Sequence, residues 1–381
     1  MLLCYYVLMF FMLLTIIVFI LILGLLVFVH ELGHFFIARK MGVTVEEFGL
    51  GFPPRIFGIK KNKTIYSLNW IPLGGFCKIK GEEGGDSSEQ DNFISKSIGA
   101  RVAIVSAGVA MNVFLAFVLF SIGFMIGFPQ VVNEKTIQGA KKISQPQIQI
   151  VSIVKDSPAE KSGIQLGDIF LEMDNQKIKE VSSFQNYVQE NSGKEILIKI
   201  KRGDKILEKK VKPEFSEEIN KNVVGVQLIN AGIISYSWHK SILLGAEFTA
   251  SLTFEIIKAF CLLIKNLVIH QTLTADVAGP IGIAVITKQM INLGFIYIIL
   301  FTAMLSLNLA IINFLPFPAL DGGRMVFLII EKIRRKPIDQ KIENISHNIG
   351  FALLMLLVVI VTYQDIVKFG GKILNAIKNL F

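Results

Sequence analysis

The sequence predicts a polytopic α-helical membrane protein with about four transmembrane helices, a membrane-associated β-hairpin region and one inserted globular domain. Three observations predict it. Long apolar runs recur, the first from Met9 to Ile37, and each approaches or exceeds the roughly 20 residues that span a bilayer. Between the first two runs the pattern changes to short alternating stretches bounded by Gly and Pro, which read as hairpins. Between the second and third runs lie about a hundred polar residues that alternate as a soluble domain does. The hydrophobic fraction of 52% and the mean hydropathy of +0.57 agree, since both exceed the usage of ordinary soluble domains.

The first element, residues 1–41, is a transmembrane helix ending at Arg39-Lys40, a basic flank that places this end at the cytoplasm. It lacks a basic region ahead of the run and a small-residue cleavage site after it, so a retained span is expected, with its first residues outside the bilayer or translation starting at Met9 or Met12. Residues 42–100 form the cytoplasmic-side hairpin and loop region. They include Gly49-Leu50-Gly51-Phe52 and Ile71-Pro72-Leu73-Gly74-Gly75, and Gly84 to Asn92 reads as a polar loop. The second span, residues 101–128, carries Ser106, Ala107, Gly108 and Ala110, small enough for close helix contact, and Asn112, expected to hydrogen-bond between helices.

Residues 129–230 form the globular domain, on the extracytoplasmic side because the second span returns the chain across the membrane. Strands are expected at 147–151 and 195–200, and a helix begins near Val181. Residues 231–294 are read as interfacial helices and a connecting segment, because Glu247, Glu255, Lys258 and Lys265 recur along an otherwise apolar stretch. A third span lies in 295–323. A basic loop and a fourth span occupy 324–367, and an interfacial tail covers 368–381. The span runs from Gly350 to Val361 with a start a few residues earlier, since that stretch alone is short for about 30 Å of hydrocarbon.

The net charge of +9, from 39 basic and 30 acidic residues, comes without helix-turn-helix or RNA-binding signatures. It points to an anionic lipid surface and not to nucleic acid. Cys4, Cys77 and Cys261 are too scattered for a disulfide framework or a thiolate metal site.

Chemistry concentrates at His30-Glu31-Leu32-Gly33-His34, inside the first apolar run. An ionisable residue at bilayer depth costs about 2.5–3.5 kcal/mol or more to insert, so three within five positions call for a function. Positions four apart share a helix face, which lets His30 and His34 offer nitrogens to one metal ion. Glu31 falls beside them, as suits a general base, and zinc is the ion neutral imidazoles favour. Two histidines leave catalytic zinc one protein ligand short. The broken stretch at the end of the third span, Asn313-Phe314-Leu315-Pro316-Phe317-Pro318-Ala319-Leu320-Asp321, supplies it. Its prolines interrupt a helix and bring Asp321 out of irregular backbone at the depth expected for the histidines.

Together these segments resemble the site-2 protease family of intramembrane zinc metalloproteases, in the branch of the regulator-of-sigma-E protease. The likeness runs through His30 to His34, Ile71 to Gly75, Phe93 to Asn112, Gly279 to Gly282 and Asn313 to Gly323. The segment Ser157 to Phe170 resembles the signature of bacterial PDZ domains. The family resemblance implies that His30, His34 and Asp321 bind one Zn2+, that Glu31 is the base, and that Asn313 holds the substrate backbone. Gly49, Gly51, Gly74 and Gly75 are similar to membrane-associated substrate-handling elements. The implied activity is regulated intramembrane proteolysis in the bacterial inner membrane. Its substrates would be single-pass membrane proteins, such as an anti-sigma factor already trimmed outside, or remnant signal peptides. The PDZ module would receive a peptide carboxyl end. The chain departs from many members at Val109 and Val113, where they have proline and phenylalanine, and has room for one PDZ module where some have two. Two other classes stay open at this level: a silent PDZ adaptor, and a metal transporter, although the latter often shows broken helices in both halves and one is present here.

Overall fold

The computed structural model describes residues 2–82, 84, 89–178, 180–203, 205–216, 220–270 and 279–378. Residues 85–88 of the expected loop, residues 271–278 and the last three residues lie outside these. Among the described residues, four helices are long and apolar enough to cross a membrane, at Met12–Lys40, Ile98–Ile126, Phe295–Phe314 and Gln340–Lys368. The fourth begins ten residues ahead of Gly350, which removes the shortage of length, because a 29-residue helix exceeds what about 30 Å of hydrocarbon requires.

Helix α1 (Leu2–Lys40) stops where Gly42 turns left-handed at φ +70° and the Val43 amide bonds back to the Ala38 carbonyl at 2.9 Å. Only glycine takes that conformation freely. Strands β1 (Val45–Lys61) and β2 (Thr64–Ile79) follow. They form more than a simple hairpin. Residues 47–50 pair with 65–68 on one side and with 75–78 on the other, while 55–61 pair with 64–69. The result is a small sheet whose inner strand carries Gly49 and whose edge carries Gly74 and Gly75. Helix α2 (Ile98–Ile126) comes next. Phe35, Ala38, Val43, Val45, Phe48, Ile79, Phe93, Ile104, Val105 and Leu328 form one buried apolar cluster that joins α1, the sheet and α2. Arg101 of α2 donates twice to Glu331, at 3.0 and 2.6 Å.

The chain divides into two compact units, one of residues 1–120, 246–288 and 300–381, the other of 121–245 and 289–299. In the second unit the strands are β3 (Phe128–Val131), β4 (Ala140–Ile143), β5 (Gln147–Ile153), β6 (Ile169–Met173), β7 (Gln176–Lys177), β8 (Ile196–Arg202), β9 (Lys205–Val211), β10 (Glu214–Ser216), β11 (Lys221–Val223) and β12 (Val226–Tyr236). The helices are α3 (Glu134–Ile137), α4 (Pro158–Lys161) and α5 (Val181–Glu190). An antiparallel sheet runs in the order β3-β12-β5-β6-β8-β9, with β4 also on β12 and β7 on β6. Its core holds Ile148, Ile150, Phe170, Met173, Phe184, Ile196, Ile198 and Ile200. The alternation of β8, with Ile196, Ile198 and Ile200 inward, is the period-2 pattern of a half-buried strand. Asp168 is fully buried, yet Arg202 donates to both its oxygens at 2.7 Å, so its charge is compensated.

The remaining helices among the described residues are α6 (Trp238–His270), α7 (Pro280–Leu293), α8 (Phe295–Phe314), α9 (Asp321–Arg334) and α10 (Gln340–Lys378). α6 is not among the four membrane-length apolar helices. Its recurring Glu and Lys residues keep its charge density too high.

Candidate metal centre

His30 and His34 lie on consecutive turns of α1, and their Nε2 atoms are 3.2 Å apart. Asp321 reaches them from the other end of the chain. Its Oδ2 is 3.1 Å from His30 Nε2 and 3.5 Å from His34 Nε2. Both histidines are buried, at 6% and 9% exposed.

The position of Asp321 follows from its backbone. Helix α8 ends at Phe314 because Pro316 and Pro318 cannot continue it, and the chain turns tightly before α9 begins at Asp321 itself. Ala319 sits at φ +79°, a costly conformation for a residue with a side chain, and its amide donates to His347 Nδ1 of α10 at 2.9 Å. Gly322 and Gly323 have no room for side chains, since a Cβ would come within 2.1 Å of the Leu315 carbonyl oxygen or 2.3 Å of that of Phe317. Gly350 of α10 likewise admits the Pro318 carbonyl, 2.3 Å from where its Cβ would stand.

Helix α2 orients the imidazoles. Ile104, Gly108 and Asn112 recur every four residues, so they share one face. The Ile104 carbonyl lies 2.8 Å from His34 Nδ1, which must donate to it, so neutral His34 keeps its lone pair on Nε2. The Asn112 side-chain amide, fully buried, lies 3.3 Å from His30 Nδ1. A Cβ on Gly108 would collide with His34 Nε2 at 2.3 Å and His30 Nε2 at 2.7 Å. Gly33 on α1 faces the Ala107 carbonyl just as closely. Two glycines thus bring the helices to backbone contact at the histidines.

These residues fit a zinc ion. Asp321 Oδ2 is buried without a hydrogen bond of its own and faces the bare nitrogen of His34, an arrangement of lone pairs that a shared cation relieves. Tetrahedral zinc with ligands at 2.0–2.2 Å sets ligand atoms about 3.3 Å apart, and the three separations here are 3.1, 3.2 and 3.5 Å. The missing side chain of Gly108 leaves the space beside the two nitrogens open. Two nitrogens and one oxygen, with a position left over, is the donor set of catalytic zinc sites.

Glu31 follows His30 on α1 and is partly buried, and a Cβ on Gly75 would lie 3.9 Å from its Cγ. The sheet edge therefore runs past Glu31. Gly74, at φ +116°, and Gly75 belong to a strand paired through Leu50 on one side only. Gly49 is different, because it pairs with Phe76 and Ser67 on both flanks and its absent side chain makes room for the Phe76 ring. Gly51, at φ +80°, packs against the Ile71 carbonyl. Both serve the sheet from inside. Asn313 stands in the last turn of α8, half-buried, and makes no hydrogen bond with the three ligands among the described residues.

Sequence reasoning placed Asn112 only as an inter-helix bond and did not find Ile104 or His347. The four-residue recurrence of Ile104, Gly108 and Asn112 was the available signal. A backbone carbonyl acceptor leaves none.

The profile of peptidase family M50 matches residues 18–357. Zinc metalloprotease RasP of Oceanobacillus iheyensis is 31% identical, covering 88% of this chain and 95% of its own. Regulator of sigma-W protease RasP of Bacillus subtilis is 30% identical over 88% and 94%. Regulator of sigma-E protease RseP of Salmonella typhimurium is 27% identical over 88% and 94%. Among solved structures, the PDZ domain of an SdrC-like protein from Listeria monocytogenes is 24% identical over 23% of this chain and 92% of that one, with a TM-score of 0.21.

Proposed function

Because this chain belongs to peptidase family M50, it is a zinc-dependent protease of the membrane, and we propose that His30, His34 and Asp321 hold the ion while Glu31 is the general base. The observation that carries this is the convergence of two imidazole nitrogens and one carboxylate oxygen from distant parts of the sequence, all within 4.8 Å of one another. Family membership sets aside the silent adaptor and the transporter.

The substrate is a transmembrane segment, cut within the membrane near its cytoplasmic side, where Arg39-Lys40 closes α1. A helix hides its scissile carbonyls in its own hydrogen bonds, so it must unwind before it is cut. Gly74 and Gly75, buried against α1 beside Glu31, lie on the edge strand on which the unwound segment pairs once it enters, and Gly49 and Gly51 support that strand from its neighbour. Asn313 holds the substrate backbone from the end of α8. Zinc, when bound, supplies Lewis-acid polarisation of the scissile carbonyl and makes water nucleophilic near neutral pH. Glu31 takes one proton from the attacking water as its oxygen joins the carbonyl carbon, and returns that proton to the amine as the C–N bond breaks. His34 keeps its reactive nitrogen free through the Ile104 carbonyl. For His30 to do the same, Asn112 must present its amide oxygen to Nδ1, since the nitrogen and oxygen ends of an amide are assigned from the network around them.

The names of the Bacillus and Salmonella relatives carry sigma-factor regulation. The substrate class proposed here is accordingly a pre-cleaved single-pass regulator such as an anti-sigma factor, or a remnant signal peptide, in the bacterial plasma membrane. The β3–β12 unit is proposed as an extracytoplasmic PDZ module that receives the new carboxyl end, on the sequence signature of 157–170 and its antiparallel sheet. Purified Glu31→Gln protein tests the chemistry: it should keep one zinc per chain and cut no model transmembrane substrate, and retained turnover would remove Glu31 from its role.

A further inference from the structure

Beyond the candidate metal centre, the Arg39 end of α1 and the turn of the β1–β2 sheet border an open pocket of about 430 Å³ lined by Arg39, Lys61, Asn62, Thr64 and Tyr66. Its two cations carry no carboxylate of their own. Arg55, Lys63, Lys78 and Lys80 each pair with a carboxylate, whereas Arg39 and Lys61 have no such partner among the described residues. The Arg39 guanidinium is held over the Phe35 ring, 5.3 Å from its centroid, and Phe35 meets the Tyr66 ring edge-on at 6.0 Å. Thr64 already donates to the Val45 carbonyl, while the Tyr66 hydroxyl has no partner among the described residues. One guanidinium, one ammonium and one phenol thus face a common space as donors with no internal acceptor.

The surface next to the pocket is apolar. Lys61 and Thr64, Ile59 and Tyr66, and Phe57 and Leu68 are every second opposite pair on the ladder, so their side chains share one face. Phe57, Ile59 and Leu68 are 59%, 57% and 45% exposed. Cation-rich space therefore runs without a break into an exposed apolar stripe. It does so at the basic end of a membrane span, where lipid phosphates lie.

We propose that Arg39, Lys61 and Tyr66 bind the phosphate of an anionic phospholipid whose acyl chains lie along Ile59, Phe57 and Leu68. A free phosphate or phosphorylated solute would satisfy the cations and leave the stripe uncovered. The bound lipid anchors the turn end of the sheet at the headgroups, and so sets how deep below them the edge at Gly74 and Gly75 lies. This site stands independently of the zinc ligands.

Native mass spectrometry of the full chain, released from nanodiscs containing equal phosphatidylglycerol and phosphatidylcholine, tests it. Wild-type protein should retain one phosphatidylglycerol in preference to phosphatidylcholine. An Arg39→Gln/Lys61→Gln variant should lose that occupancy about 30-fold, and Tyr66→Phe should lower it less. A Lys40→Gln/Lys60→Gln control removes equal charge from adjacent residues outside the pocket lining and should keep it. Any of three results would overturn the proposal. One is no headgroup preference in the wild type. Another is equal loss in both double variants, which would mean diffuse surface charge. The last is inorganic phosphate displacing the lipid and binding alone as tightly, which would make this a free-phosphate site. Matching circular dichroism of all preparations separates loss of lipid from loss of fold.

Discussion

Gly108 of α2 stands directly against His34 of α1: a methyl group at Gly108 would lie 2.3 Å from His34 Nε2. The helix crossing and the candidate metal centre are therefore one feature, because the glycine that lets α2 approach is also what leaves the imidazole nitrogens open.

Gly108→Ala should displace both histidines at an overpacking cost of about 1–3 kcal/mol. The expected outcome is zinc affinity lowered roughly 10- to 100-fold, read by competition with a chromogenic chelator, in protein that remains helical by circular dichroism. Unchanged affinity would show that the imidazoles can move aside without loss.

Asn112→Leu removes the acceptor proposed for His30 Nδ1 and should weaken zinc binding about 10- to 100-fold. Asn112→Asp keeps an oxygen at the same place and should recover most of that loss. Equal effects of the two changes would assign Asn112 to helix packing alone.

Arg101 and Glu331 make a two-bond ion pair whose side chains are only 11% and 16% exposed. Arg101→Met leaves the carboxylate largely buried and unpaired, a cost of about 2–4 kcal/mol after allowance for that exposure. The thermal midpoint in detergent should fall, and Arg101→Met/Glu331→Leu should restore much of it. A double variant no better than the single would locate the loss elsewhere.

Asp91 anchors the junction of α1, the sheet and the following loop. Hydrogen bonds from Lys80, Lys63 and Thr44 hold its carboxyl well below the usual carboxylate range. A carboxyl lowered on folding stabilises fully above its unfolded value, about 3.9, and loses that contribution as pH falls towards its folded one. Exchange protection of the Thr44 and Lys80 amides, corrected for intrinsic rates, should therefore be flat from pH 8 to 5 and decline below about pH 4. Decline near pH 6 would implicate a different group.

Much of this was legible in the chain itself, for reasons that can be named. His30 and His34 are visible because helix periodicity maps spacing onto geometry. Asp321 is visible because Pro316 and Pro318 announce irregular backbone at the right depth. In the globular unit the expected strands at 147–151 and 195–200 correspond to β5 and β8, and the helix begun at Val181 to α5. The double pairing of residues 47–50 was not legible, because it depends on which distant strand arrives on each flank. The start of α10 was legible only in direction, a few residues ahead of Gly350 for want of length, because its polar first turns hide how far a helix that no proline interrupts extends. His347 stayed hidden for a related reason: its partner is the amide of Ala319, 28 residues away, and a main-chain donor is silent in sequence.

The central claim is that His30, His34 and Asp321 share one zinc ion. Anomalous diffraction at the zinc edge from crystals of the full chain tests it most directly. The account predicts a single peak bonded to His30 Nε2, His34 Nε2 and Asp321 Oδ2, and its disappearance in Asp321→Ala. A peak bonded to other side chains, or one that persists in that variant, would contradict it.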